Sequence, residues 1–395
     1  MRILLPSIVD PADRAGGAWT VTRELIRLLE QGPLAADVEV VPLPGYAGLA
    51  RRSRQAAAIA ASLISPLPAK VAFARDRRLR AEFRAALVAR PPDLVLVNGA
   101  DLLWLLRDVP RTVPAALVAH NIESHLLAAQ IAQISATGGH LRPFGWWAAR
   151  ECRRLRDFEL AGLGHVGRVV FLSSADETYA REQVPGLRTM TLPPVFGDPP
   201  TPRAPVSGVP SGRLELGMLA NFEWWPNTDG LRWFLREVFP SAPARTRLHL
   251  YGNGGRSAAG SDPRIVAHGF VNDLAEVWST CDFMICPIRA GSGVCVKVAE
   301  SVYHGMPILA TPTAVRGLPI APSSALAVLD HAEEWIRFLH RDADGFAREV
   351  VPAEVAERFH AANYTEDLAA FLGEPTSALA ITEPPVLRGT GERGN

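Results

Sequence analysis

From Cys286 to Gly317 the chain reads CPIRAGSGVCVKVAESVYHGMPILATPTAVRG. Gly291, Ser292 and Gly293 make a glycine-rich turn whose successive backbone N–H groups suit anionic oxygens. Lys297 and Arg289 are candidate phosphate partners. Glu300 lies three residues after Lys297 and four before His304, so on a helix the three share roughly one face. A carboxylate there accepts two hydroxyl hydrogen bonds and suits the diol of a ribose or hexose. The same spacing equally fits a surface Lys297–Glu300 salt bridge, worth ~0.2–0.5 kcal/mol on a helix. Cys295 lies inside this segment and reads as a packing residue.

Other groups cluster at the ends of apolar runs. His120, in AHNIES, is placed to donate a hydrogen bond to a sugar hydroxyl or to take part in proton transfer, with Asn121 and Glu123 in the same turn. The alternative is a structural cluster in which Asn121 or Ser124 caps the next helix. Gly16 and Gly17 follow the first apolar run and precede a helix. Such a pair lets the backbone approach a ligand at a helix N-terminus that favours negative charge, or it makes a simple tight turn. No GxGxxG is present, so the dinucleotide fingerprint is absent. Asn221, in NFEWWPN, is a candidate for ligand oxygens. Trp224 and Trp225 fit interdomain packing and ring stacking equally. Gly252 in LHLYGNGGR, and Gly269 with Phe270 in HGF, mark two further strand-to-turn junctions. They line a base or ribose pocket, or are ordinary loops.

These positions need a parallel sheet whose carboxyl edge faces a ligand. The first half supplies strands at Ile3–Val9, Val38–Leu43, Leu94–Val97, Ala116–Ala119 and Val169–Leu172. Helical stretches intervene at Trp19–Leu29, Leu102–Arg107 and about Phe144–Leu160. Short continuous apolar strands bounded by turns argue a sheet covered on both faces. Ser174 with Glu177 predicts a capping box. GDPPTPRAPVSGVPSG then interrupts the pattern. The second half restarts with strands at Leu214–Leu219, Arg247–Tyr251, Ile265–His268, Phe283–Cys286 and Pro307–Ala310, and a helix at about Asn227–Val238. The expected organisation is an α/β N-terminal domain over 1–196, a linker over 197–213, a second domain over 214–385 whose terminal helical region packs back on the first, and a flexible tail at 386–395.

The 395 residues allow two domains, and 41 basic against 41 acidic residues give no overall argument for nucleic-acid binding. The four cysteines show no paired metal-ligand spacing. MRILLPSIVD reads as a buried strand and not a signal peptide, and no run approaches the ~20 apolar residues of a membrane span. The expected location is cytoplasmic. Charge is uneven locally. From Arg51 to Arg90 ten basic residues (Arg51, Arg52, Arg54, Lys70, Arg75, Arg77, Arg78, Arg80, Arg84, Arg90) face two acidic ones, Asp76 and Glu82. That is a solvated helical face, or a surface for an anionic acceptor or for anionic lipid heads with peripheral membrane contact.

Taken together, HNIES at His120, GMLANFEWWPNTDGLRWF from Gly217, GFVNDL from Gly269 and GSGVCVKVAESVYHGMPILAT from Gly291 resemble the retaining glycosyltransferases of family 4, with two facing Rossmann-like domains of parallel sheets, the GT-B fold. They are most similar to the bacterial exopolysaccharide-type members. The resemblance covers most of the chain. It implies an N-terminal domain for a hydroxyl acceptor (a glycan, a lipid-linked glycan or a small molecule) and a C-terminal domain for a nucleoside-diphosphate sugar, used as co-substrate with no metal required. Gly16 and Gly17 would lie near the diphosphate in the cleft, and His120 would contact the transferred sugar. Glu300 matches the second glutamate of the family's paired-glutamate motif, which contacts the nucleotide ribose. The place of the first glutamate, eight residues earlier, holds Ser292, a departure shared by the exopolysaccharide-like branch. Relatives carry an arginine and a lysine around the first turn of the donor domain. Here Asn221 stands there with no lysine nearby, and Lys297 or Arg289 substitutes.

The resemblance thus makes His120 and Glu300 the candidate catalytic residues. It also implies retention at the anomeric centre by front-side departure of the nucleoside diphosphate. Two rivals share the architecture. A nucleotide-sugar epimerase would turn over without an acceptor, and a non-catalytic binding protein would hold the sugar nucleotide without turnover.

Overall fold

The computed structural model describes residues 1–12, 16–45, 48–136, 145–200, 213–323, 325–341 and 351–374. They form two compact units, Met1–Pro193 with the described part of Tyr364–Asn395, and Pro194–Asn363.

In the first unit, strands and helices alternate as β1 (Arg2–Ser7), α1 (Gly17–Gln31), β2 (Asp37–Pro42), α2 (Gly48–Ile64), α3 (Ala69–Ala74), α4 (Arg77–Ala89) and β3 (Leu94–Asn98). A 3-10 stretch Ala100–Asp108 leads to β4 (Ala115–Ala119), α5 (Glu123–Ala136), α6 (Gly145–Val166), β5 (Arg168–Phe171), α7 (Ser174–Gln183) and β6 (Arg188–Thr191). All six strands are parallel, in the order β2-β1-β3-β4-β5-β6. Every residue of β1, β3, β4 and β5 is buried, as expected of strands covered on both faces. One face packs Val95, Val97, Leu117 and Phe171 against Phe83, Leu103 and Phe158.

The final helix, Thr365–Gly373, belongs to this first unit. Arg168, 1% exposed, donates to the carbonyls of Phe371 (3.1 Å), Leu372 (3.0 Å) and Glu374 (2.6 Å). A helix leaves its last carbonyls without partners inside itself, and this guanidinium takes them up.

The second unit runs β7 (Leu214–Leu219), α8 (Trp225–Trp233), β8 (Thr246–Tyr251), α9 (Gly255–Ala258), β9 (Ile265–Gly269), α10 (Leu274–Thr280) and β10 (Phe283–Cys286). It continues with α11 (Val296–Tyr303), β11 (Ile308–Ala310), α12 (Pro312–Val315), β12 (Leu326–Val328) and α13 (Ala332–Leu339). Its six strands are also parallel, in the order β12-β11-β10-β7-β8-β9. Two apolar clusters cover its faces, one around Tyr251, Cys286, Val298 and Tyr303, the other around Leu216, Phe234, Leu250 and Trp335. Near the unit's two ends, Phe196 N–H donates to Phe359 O (2.9 Å) and Ala361 N–H to Phe196 O (3.0 Å).

Local expectations met corrections. The first strand stops at Ser7, where the Ser7 hydroxyl turns the chain by bonding Val9. The cap of α7 is Ser173, whose side chain accepts from Asp176 N–H, and not Ser174. Glu177 instead accepts from the hydroxyls of Thr189 (2.6 Å) and Thr191, tying α7 to β6. Leu102–Arg107 lies in the 3-10 stretch, and the helix from Trp225 ends in a π-turn over Phe234–Val238. Most of the expected linker, 201–212, and the tail 386–395 lie outside the described residues.

Candidate functional site

In the first unit the carboxyl edge of the sheet gathers His120, Asn98, Ser7 and Thr22. His120 follows β4 and is 7% exposed. Its Nε2 lies 2.7 Å from Asn98 Oδ1, while Asn98 Nδ2 donates to Ser7 Oγ and Thr22 Oγ1, both at 2.9 Å. Ser7 spends its own proton on Val9 O at 2.7 Å, so its oxygen is an acceptor for Asn98. That orients the amide and makes Nε2 the protonated ring nitrogen. Burial, then the nearby Lys70 charge, lowers His120 to about 4. The ring is therefore neutral near pH 7, with its lone pair on Nδ1. The sequence alone suggests donation to a hydroxyl or proton transfer at His120; here the unprotonated Nδ1 is an acceptor. Asn98 was not foreseen, and its signal was a polar residue closing the apolar strand LVLVN.

The turn after His120 is held from elsewhere in the chain. Glu159, on α6, accepts from Glu123 N–H (2.5 Å) and Ser124 N–H (2.9 Å), capping α5. Neither Asn121 nor Ser124 supplies that cap; Asn121 Nδ2 donates to Glu123 Oε1 at 3.2 Å. Burial pushes Glu159 up to about 7, against the opposing pull of the Ser124 hydrogen bonds and Lys70. Lys70 pairs with Glu123 and reaches Asp101 at 3.5 Å. Gly16 sits just before α1 with φ 82°, a left-handed conformation that explains glycine. A Cβ there would meet nothing within 4 Å among the described residues, and Gly17 opens α1. Thr22, on the same helix, joins this end of α1 to the His120 network.

In the second unit, the carboxyl ends of β7, β8 and β9 are drawn together. Gly252 has φ 121° and donates its N–H to Gly269 O at 2.6 Å. A Cβ on Gly252 would stand 2.0 Å from Ala220 O, so only glycine permits the approach. Gly269 has φ 80°, and Phe270 beyond it is 55% exposed. Asn221 Oδ1 accepts from Glu223 N–H (2.9 Å), and its carbonyl accepts from Asn227 Nδ2 (2.7 Å). Asn227 Oδ1 in turn accepts from Lys297 Nζ at 2.5 Å. This buried asparagine, unforeseen as a site residue, joins the turn after β7 to the first turn of α11. Lys297 thus reaches Asn227, and Glu300 lies three residues further along α11.

The turn before α11 holds Gly291 at φ 146° and Gly293 at φ 74°, with Ser292 between them. Arg289, the other candidate phosphate partner, packs on an aromatic ring. Its guanidinium lies over the Trp233 ring, 5.5 Å from the centroid. It lines a cavity of about 480 Å³ with Trp233, Arg236, Thr311, Asp330 and His331. Asn227 and Trp233 stand about 9 Å apart along the axis of α8, so Lys297 and Arg289 meet that helix at different turns. His304, the third member of the helix face, stacks on Trp278 at 5.4 Å. A hydrogen bond with Cys286, then the charges of Lys297 and Arg316, pulls Cys295 down despite burial, while burial raises Cys286. Among the described residues no group of three or more His, Cys, Asp or Glu is placed to hold a metal ion.

Five of the ten basic residues of the 51–90 segment pair with carboxylates. Arg54 reaches Asp76 (3.0 Å), Arg78 Glu82 (2.8 Å), Arg80 Asp108 (2.7 Å) and Arg90 Asp37 (2.5 Å), besides Lys70 with Glu123. Arg75 lies over Trp104.

Comparison with known proteins places this geometry. Residues 213–351, most of the second unit, match the family described as Glycosyl transferases group 1. Among solved structures, sucrose-phosphate synthase from Thermosynechococcus elongatus is similar with TM-score 0.66 and 15% identity, over 93% of this chain and 97% of that one. HepE of Anabaena, in complex with UDP and glucose, gives TM-score 0.61 at 15% identity over 95% and 99%. WaaG, a glycosyltransferase involved in lipopolysaccharide biosynthesis, gives 0.57 at 15% over 95% and 100%. A search among curated proteins finds no relative. The fold is GT-B, two parallel six-stranded α/β sheets in one chain. With the family match in its second unit, the protein is an enzyme of the glycosyltransferase class.

Proposed function

We propose that the protein moves a sugar from a nucleoside-diphosphate sugar to a hydroxyl acceptor with retention at the anomeric centre. The observation that carries this is the join in the second unit, where Asn227 ties the Lys297 ammonium to the Asn221 turn at the carboxyl edge of a parallel sheet. The positive-φ glycines Gly291 and Gly293 stand five residues or so before that lysine. A cation on the helix that follows a turn of positive-φ glycines suits a departing diphosphate. Glu300 is assigned to a diol of the donor, and Phe270 with Gly252 and Gly269 to the base side. In the transfer, the bond between the anomeric carbon and the β-phosphate oxygen breaks. The acceptor oxygen bonds to the same face, and its proton passes to the departing phosphate oxygen. The protein's part is orientation and electrostatics. His120, neutral and with an acceptor nitrogen, is assigned to a sugar hydroxyl.

Retention, family 4 membership and a bacterial exopolysaccharide role rest on the sequence resemblance at HNIES and GSGVCVKVAESVYHGMPILAT. An anionic or lipid-linked acceptor, cytoplasmic location and peripheral membrane contact through 51–90 belong to the same reading. So does a transfer needing no metal, for which unchanged turnover in EDTA is the expected result.

The test is a binding screen over nucleoside diphosphates and their sugars, followed by donor hydrolysis. One nucleoside diphosphate should bind selectively, and Glu300→Ala should abolish slow hydrolysis of its sugar. His120→Ala should lower turnover more than donor affinity. Sugar isomerisation without an acceptor would replace transfer by epimerisation, and selective binding without any turnover would reduce the protein to a binder.

A further inference from the structure

Two of the four cysteines meet at the turn before α11. Cys286 closes β10 and is fully buried. Cys295 is the residue just before α11 and is partly exposed. Between them, residues 287–294 leave the end of the strand, pass through the glycine turn and return to the head of the helix. Both cysteines belong to one apolar cluster, and a hydrogen bond joins their thiols. The other two cysteines are placed differently. Cys281 donates to Tyr251 Oη at 3.9 Å, and Cys152 lies on α6 in the first unit.

The surroundings give the two sulfurs different characters. Cys295 stands at a helix N-terminus, whose first N–H groups lack partners inside the helix and favour an anion. The Cys286 hydrogen bond, then the charges of Lys297 and Arg316, also favour its thiolate. Burial instead keeps Cys286, Cys281 and Cys152 protonated. The thiolate is the form that oxidants attack, and reactive cysteines occupy electropositive, partly exposed places beside a second thiol. The connecting chain can also yield. Gly291 and Gly293 have φ of 146° and 74°, and a Cβ on Gly291 would meet nothing within 4 Å among the described residues. Rotation at these glycines lets Cys295 approach Cys286 while β10 keeps its place in the sheet.

We propose that Cys295 is a peroxide-reactive thiol that Cys286 resolves into a reversible disulfide. The Cys295 thiolate attacks the O–O bond of a hydroperoxide. With hydrogen peroxide, one oxygen joins the sulfur as a sulfenic acid, and the other leaves as hydroxide and takes up the thiol proton as water. The Cys286 sulfur then bonds to the Cys295 sulfur, the S–O bond breaks, and the Cys286 proton leaves with that oxygen as a second water. Two thiols lose two electrons and one peroxide gains them. The cross-link pins the first turn of α11 to the end of β10 and closes Gly291, Ser292 and Gly293 into a loop held at both ends. The modification itself stands apart from the transferase reading. Its effect on donor binding rests on that reading.

The test treats the folded full chain with hydrogen peroxide, blocks the remaining thiols in denaturant and maps the cysteines by mass spectrometry. Trypsin cuts after Arg289, so the pair falls on two peptides that only a disulfide joins. The joined peptides should appear, with fragmentation assigning the link to Cys286, and dithiothreitol should separate them. Cys286→Ala should leave Cys295 as a sulfenic acid that dimedone traps, and Cys295→Ser should leave Cys286 reduced. Cys295 should react at least about tenfold faster than Cys152. Unjoined peptides in the wild type, a link through Cys281, or Cys152 reacting as fast as Cys295 would each overturn the proposal. The wild-type map decides the matter even where a variant fails to fold. With UDP as the probe, oxidation should weaken binding at least about tenfold, since a shift of about 1 Å at a binding turn can cost that much, and dithiothreitol should restore it. Equal affinities in the two forms would overturn the effect on the turn. No UDP binding in either form would count against the donor reading and not against the disulfide.

Discussion

Replacing Glu159 by Gln probes a contest between burial and hydrogen bonding at the turn that follows His120. Glu159 is 4% exposed and accepts from two backbone N–H groups, Glu123 at 2.5 Å and Ser124 at 2.9 Å. The hydrogen bonds favour the ionised carboxylate. Burial disfavours it more strongly, and the folded protein holds this group near 7 against 4.5 for an ordinary glutamate. Between those values the native state binds a proton that the unfolded chain has released. The associated stability is complete below pH 4.5 and is lost as pH rises through 7. At about 1.4 kcal/mol per tenfold change in proton affinity, the loss is about 3 kcal/mol. Glutamine never ionises, so Glu159→Gln removes that slope. It also turns an amide donor toward one of the two N–H groups, a pH-independent cost of about 1–3 kcal/mol. Urea unfolding from about pH 5 to about pH 8 separates the two effects, because only the first changes with pH. The free-energy difference between variant and wild type should move by about 3 kcal/mol in the variant's favour as pH rises across that range. A constant difference would refute the reasoning. It would mean that the two N–H groups and Lys70 already hold the carboxylate ionised at the acid end.

Two further expectations follow from the sites. Asn98→Asp places a carboxylate on His120 Nε2–H and favours the imidazolium. It should add an acid limb to the pH profile of kcat between about pH 5 and about pH 8 that the wild type lacks, since protonation removes the Nδ1 lone pair; superposable profiles would remove Asn98 as the residue that sets the tautomer. Gly252→Ala should cost more than about 3 kcal/mol in urea unfolding, because its new Cβ meets a backbone oxygen, whereas Gly269→Ala should cost only about 1–2 kcal/mol for its left-handed φ; equal costs would contradict the close approach at Ala220.

How much was legible beforehand depended on where the determining contact lay in the chain. Strands such as LVLVN and AALVA declare themselves because both faces are buried and every residue is apolar or small. The edge strands RTMT and LAV escaped notice, the first because it is half exposed and carries no apolar run, the second because three residues give no period. Gly252, Gly269, Gly291 and Gly293 were legible as turn residues, and each has positive φ. Their partners were not, since the Gly252–Gly269 bond joins neighbouring strands. Lys297 was placed correctly on α11, but its bond to Asn227 spans 70 residues and leaves no local trace. The cap of α5 by Glu159 was invisible for the same reason: Ser124 looked sufficient until a carboxylate from α6 occupied the place. Arg289 shares a segment with Lys297, but its packing over Trp233 leaves no local trace in the sequence.

The buried contact between Arg168 and the final helix bears on how the polypeptide can be dissected. A stop codon placed after residue 193 would strand a guanidinium in the interior with its three carbonyl acceptors deleted, so the amino-terminal fragment should not survive by itself. The segment 194–363 is different. Backbone bonds between Phe196 and both Phe359 and Ala361 bring its extremities side by side. It therefore has the wiring of a cassette spliced into a host, removable in one piece, and its neighbouring termini make it the natural half for circular permutation.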